Sequence, residues 1–250
     1  MGKLLKYELR KTWMIKLIAL GLTAVAEIVF LLGLGMKNEK MLAISTVCLV
    51  MLTFGSIMVI GLYSLIVLHR DLNTKQSYML FMTPNSSYKI LGAKVLENGL
   101  SMLLAGAAFF VLGMLDLTAL FAQQGMLKNL WEMITKFLES LDKRLTLDWQ
   151  TIGSFLALML SSWFGFVVLT YLADVISAAL LSGKKMSGVV TFLLIIALEI
   201  LTNWGIQSVM DGMKDASTAA LFLTGAGIHL AFAIVMYVLT AWIMDRKLSV

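Results

Sequence analysis

Apolar residues run almost unbroken along most of the chain, and polar ones gather between the runs. Six runs are long enough to cross a bilayer as a helix: residues 14–35, 42–68, 95–115, 152–173, 186–206 and 224–244. A crossing takes about 20 mostly apolar residues, because a helix rises about 1.5 Å per residue against a hydrocarbon layer of about 30 Å. None of the runs alternates with period two, so a membrane barrel is not expected. The pattern predicts an all-α membrane protein with six transmembrane helices, organised as one domain over residues 1–250. The first run is longer than the apolar part of a signal peptide and is not followed by a small-x-small cleavage site, so it is expected to stay as a span.

Composition agrees with the pattern. Hydrophobic residues make up 60% of the chain and charged ones 14%, where a soluble domain carries about 25% charged residues; the mean hydropathy is +0.89. Lys and Arg set the orientation. With a cytosolic N-terminus, thirteen of the 20 basic residues fall inside, among them Lys3, Arg10, Arg70, Lys94, Lys185 and Arg246. Seven fall outside, against eight acids that include Asp116, Glu132, Asp148 and Asp211. Both termini are therefore expected in the cytosol. The basic excess suits an anionic inner leaflet, and no nucleic-acid partner is read from it. A single cysteine, Cys48, lies in the second span. It excludes an internal disulfide, and no metal site is expected.

The connections carry patterns of their own. Residues 1–13 place Leu5, Leu9 and Trp13 on one helical face and Lys3, Lys6 and Arg10 on another, as in a short helix lying on the cytosolic membrane surface. The extracellular segment 116–151 contains an amphipathic stretch with Leu127, Leu130, Trp131, Ile134, Leu138, Leu141 and Leu145 on one face. Glu132 with Lys136, and Glu139 with Lys143, form i,i+4 pairs opposite. This helix either floats on the outer interface or acts as a lid over a pathway. Segment 69–94 is polar at both ends, apolar in the middle, and holds the only proline, Pro84.

Small residues suggest how the spans pack. Gly92, Gly99, Gly106 and Gly113 recur every seven residues, and Gly153, Ala157, Ser161 and Gly165 every four. In lipid, close backbone approach drives helix association, so tight packing is the plainer reading and a glycine hinge the other. Ionisable groups inside the spans come next, each costing at least about 2.5–3.5 kcal/mol at the midplane unless paired or wet. Glu27, Glu199 and His229 lie on three helices, about 12, 10 and 8 Å inside the outer boundary at a helical rise. They are candidates for the outer part of a translocation pathway, or else separate hydrogen bonds between helices. Glu97 and Asp174 sit near cytosolic span ends, where solvent or Lys94 can satisfy them.

Catalytic motifs are missing, and no catalytic residue is assigned. The fourth span offers Ser161, Ser162 and Ser154 without the Gly-x-Ser-x-Gly setting of a serine protease. The only histidines, His69 and His229, form no His-Glu-x-x-His pair. There is no Gly-x-x-x-x-Gly-Lys-Ser/Thr loop, so ATP-driven work would need an ATPase on another chain.

Segment 69–94 supplies a resemblance. Arg70 and Asp71 are followed by the apolar stretch Tyr78, Met79, Leu80, Phe81 and Met82, then by Thr83, Pro84 and Asn85 through Ser87, and finally by Gly92, Ala93 and Lys94. In that order these resemble the cytosolic loop of an ABC-2 type permease, the membrane subunit of a bacterial ABC exporter. Two positions depart from the pattern: Asn73, Thr74 and Lys75 replace the usual glycine-threonine, and Ser87 stands where a basic residue follows the proline. The resemblance implies a cytosolic coupling helix that docks on an ABC ATPase subunit, a second permease copy in a homo- or heterodimer, and a bacterial plasma-membrane location. ATP and magnesium would be bound by the partner ATPase and no cofactor by this chain. The cargo would be amphipathic or hydrophobic, peptides being one class. Pro84 agrees with a short helix ending there, because it cannot continue one and biases Thr83 towards extended backbone. The exposed apolar residues before it then need a partner; the contrasting reading dips them into the lipid interface. Two other classes stay open: a proton-coupled secondary transporter using Glu27, Glu199 and His229, and a non-transporting membrane scaffold or immunity protein.

Overall fold

A computed structural model describes residues 2–73, 86–123, 125, 131–133, 135–136, 149–181, 187–213 and 216–248. Six long helices account for nearly all of them: α1 (Gly2–Gly35), α2 (Glu39–Asn73), α3 (Ser87–Gln123), α4 (Trp149–Leu181), α5 (Ser187–Met210) and α6 (Thr218–Ile243). A 3-10 turn, Asp211–Met213, extends α5, and a wide π-type turn, Met244–Leu248, ends α6. All six are long and apolar enough to cross a membrane. The apolar core 78–82, Thr83 and Pro84, expected to form the coupling helix, lies outside the described residues. Of the amphipathic stretch expected outside the membrane, Trp131–Met133 and 135–136 are described and helical. There the Lys136–Glu132 pair stands exposed at 3.9 Å, a separation at which a surface pair adds little.

Helix ends extend past the apolar runs. α1 passes through residues 2–13 into the first span without a break, since no glycine or proline interrupts Lys11, Thr12, Trp13 and Met14. Its buried face there carries Glu8 and Thr12, while Trp13 is 57% exposed. α3 continues beyond 115 to Gln123, so Asp116 is part of a helix and not of a loop. The turn between α1 and α2 is tight. Lys37 has φ 51°, and Asn38 N–H donates to the Gly33 carbonyl at 3.2 Å, the left-handed close of a helix. Asn38 then caps α2, accepting from Met41 N–H at 3.2 Å. A Cβ on Gly33 would stand 3.2 Å from Leu42 N, so glycine permits this close return.

The chain divides into two compact units, one of Met1–Leu5, Leu65–Leu96 and Leu147–Val250, the other of Lys6–Ser64 and Glu97–Thr146. In the first, α4 is the centre: its residues from Val167 to Val175 are all buried, as expected of a helix surrounded by others. Around it pack Leu65, Leu68 and Leu72 of α2, Leu91 of α3, and Ala241 and Met244 at the end of α6. In the second unit, α1 turns a narrow stripe of Ala19, Thr23, Ala26 and Phe30 inward.

Outer surfaces show the reverse of a soluble protein. Met51, Phe54, Phe110 and Trp204 are each at least 70% exposed. Serine and threonine, by contrast, face inward or bond back to their own helix. Thr23, Thr170, Thr202 and Thr240 each donate to a carbonyl four residues earlier, at 3.1, 2.8, 2.8 and 2.6 Å. Ser154 and Ser161 donate to carbonyls three residues earlier, at 2.8 and 3.0 Å. Such back-bonding satisfies a hydroxyl where no water is at hand.

Candidate functional site

Both stems of the 74–85 connection end in a collar of polar groups belonging to the first unit, with Asp71, Lys94 and Asp174 buried and His69, Tyr88 and Asp245 partly open. Asp71, from the last turn of α2, and Lys94, from the second turn of α3, form an ion pair at 2.8 Å with 2% and 3% of their side chains exposed. His69 Nδ1 lies 2.8 Å from Asp174 Oδ1 of α4, which fixes an N–H at Nδ1 when the carboxylate accepts. At the start of α3, Ser87 donates to Asp245 at the end of α6. The Tyr237 hydroxyl of α6 donates to the Tyr88 carbonyl at 2.5 Å. Across the return from α4 to α5, Ser177 donates to the Ser187 carbonyl at 2.8 Å. The two stems are thus tied to each other and to α4 and α6.

A second polar cluster belongs to the other unit. Glu97 Oε1 accepts from Thr12 Oγ1 at 2.7 Å, Lys16 Nζ at 2.6 Å and Ser101 Oγ at 2.9 Å. Lys16 also donates to Ser101 Oγ at 2.6 Å. Next to it, Asn98 Nδ2 donates to the Gly61 carbonyl of α2 at 2.8 Å. A carboxylate with three donors, one of them charged, is well stabilised in a dry setting.

The candidate pathway residues fall into two places. Glu199 of α5 and His229 of α6 share the lining of a small cavity of about 60 Å³ with Ser162 and Gly165 of α4. That space suits one or two waters. Asn203 holds Glu199 from one turn on, its Nδ2 3.1 Å from Oε1. Glu27 belongs to the second unit, where its carboxyl lies against that of Asp116. Both acids line a cavity of about 760 Å³. By sequence alone Asp116 counts among the outer acids, with no sign of its neighbour Glu27. Its signal was the apolar stretch Leu117, Ala119, Leu120 and Phe121, which carries the helix onward.

A Cβ on Gly165 would stand 3.6 Å from His229 Nδ1 and 3.7 Å from its carbonyl. Ser161 is 3% exposed and Ala157 half-buried. Gly99 is buried on α3, while Gly106 and Gly113 leave open space where a Cβ would go. No cluster of three or more metal-ligating side chains occurs among the described residues.

Six membrane-capable helices with apolar exteriors and buried polar contacts define a helical multi-pass membrane protein. No protein-family model, curated protein or solved structure matches the chain.

Proposed function

We propose that this chain is the membrane subunit of an ATP-driven exporter of the ABC-2 type, resident in the bacterial cytoplasmic membrane. It works as a dimer with two ATPase subunits and moves an amphipathic or hydrophobic cargo, peptides included, outward. The observation that carries the reading is the polar collar. An apolar docking segment at 78–82, ending at Pro84, transmits force only if its stems are stiffly joined to the spans, and His69, Asp71, Ser87, Tyr88 and Lys94 supply such joints. Glu27, Glu199 and His229 are assigned to the cargo route, and the ATPase supplies ATP and magnesium.

Purification of the native chain from its source membrane tests this. An ATPase subunit is expected to copurify, and Tyr78→Asp with Phe81→Asp is expected to release it while leaving the melting temperature of the permease unchanged. Absence of an ATPase, together with undiminished transport in that variant, sinks the proposal. The facing carboxyls of Glu27 and Asp116 favour a second reading, proton-coupled transport. The two part on the energy source: transport that survives ATP depletion and stops when the proton gradient is collapsed selects the second.

A further inference from the structure

The cavity in the second unit lies among α1, α2 and α3, and its wall is mostly apolar, with Phe30, Leu49 and Phe109 among its residues. Its volume, about 760 Å³, is within the range of about 300–1,000 Å³ usual for sites that take drug-sized molecules. The ionisable groups in the wall are few and of one sign. Glu27 and Asp116 lie against each other, and Glu27 Oε2 is buried without a hydrogen-bond partner. Among the described residues, no Lys, Arg or His forms an ion pair with either acid; the pairs found are elsewhere. Two of the wall's threonines offer nothing in their place, because Thr23 and Thr46 donate to carbonyls of their own helices. Two facing carboxyls in an apolar wall relieve their repulsion by sharing one proton, which leaves a single negative charge that a cation completes. Small hydrated ions enter such a place at high cost, since Glu27 sits about 12 Å inside the outer boundary by helical rise. A cation carried on an apolar body does not meet that obstacle.

We infer that this cavity binds a lipophilic cation, its charge against Glu27 and Asp116 and its apolar body among Phe30, Leu49 and Phe109. The inference deepens the exporter reading where that reading puts Glu27 on the cargo route, and it names the cargo class. Binding needs no ATP and no partner, so its failure leaves the coupling proposal standing, and the reverse.

The test uses the full chain in nanodiscs of phosphatidylcholine, with empty discs subtracted, and tritiated tetraphenylphosphonium as a permanently charged probe. Saturable binding is expected, displaced by unlabelled probe and not by the neutral analogue triphenylphosphine oxide. Glu27→Gln combined with Asp116→Asn is expected to weaken binding about tenfold or more. Gly113→Leu keeps both acids but adds bulk at a cavity-lining position where a Cβ meets no atom within 4 Å, and it is expected to lower binding as well. If the double variant does not fold, Gly113→Leu and the neutral competitor decide. Equal competition by triphenylphosphine oxide, or undiminished binding in the double variant or in Gly113→Leu, overturns the inference. Loss of probe binding on adding phosphatidylethanolamine assigns the cavity to a lipid amine headgroup and overturns it too.

Discussion

Asp71 and Lys94 are withdrawn almost wholly from solvent and neutralise each other at 2.8 Å. A buried pair of this kind gains little over apolar residues of similar volume, whereas removing one partner takes from the other its buried counter-charge, at a cost of up to about 3–5 kcal/mol. Lys94→Met alone is therefore expected to lower the melting temperature in detergent more than Asp71→Leu with Lys94→Met together. A double variant no more stable than the single one would remove the pair from this account. Such partnerships were the least legible part of the sequence. Along the chain Asp71 adjoins Arg70, and Lys94 stands three residues from Glu97. In the folded protein Asp71 takes Lys94, and Glu97 takes Lys16, 81 residues away. Composition tells how many charges need partners, but which helix faces meet is decided by packing. Asp116 hides a partnership of the same kind: counted along the chain with the outer acids, it lies on α3 against Glu27 of α1 in the fold.

At the scale of the helices, the apolar runs were legible and their ends were not. α2 carries His69 and Asp71 past its apolar run to Asn73, and α3 goes on to Gln123. Charged residues at those ends look like loop in a hydropathy pattern, yet they continue the helix because nothing in them breaks it and partners on other helices satisfy them. The glycines separate into two groups by what surrounds them. Gly165→Ala places its methyl at ordinary contact with His229, 3.6 Å away, and is expected to be tolerated. Gly165→Leu has no room beside that ring and the adjoining carbonyl, and a loss of about 1–3 kcal/mol is expected from overpacking. Gly106→Ala, in open space, is expected to leave stability within about 0.5 kcal/mol of the parent. Melting curves of the three variants check the distinction; a Gly165→Leu variant as stable as Gly106→Ala would contradict it.

At the scale of the molecule, an outward-facing apolar surface fits a chain whose solvent is lipid, and that was the most legible feature of all. Length and hydropathy give six membrane-capable helices with no knowledge of contacts, and the Lys and Arg count predicts their direction. In a Cys48→Ser background, Lys143→Cys is expected to react with a membrane-impermeant maleimide on intact cells, and Lys185→Cys only after the cells are opened. The opposite labelling would invert the topology. The back-bonded hydroxyls of α1, α4, α5 and α6 bear on how such a molecule moves. A threonine that donates to its own helix keeps that bond whichever neighbour it faces. Were a helix to turn about its axis or slip lengthwise, Thr23, Thr170, Thr202 and Thr240 would keep these hydrogen bonds. The bonds that would have to break are those that cross between helices, such as Asp71 to Lys94 and Glu97 to Lys16.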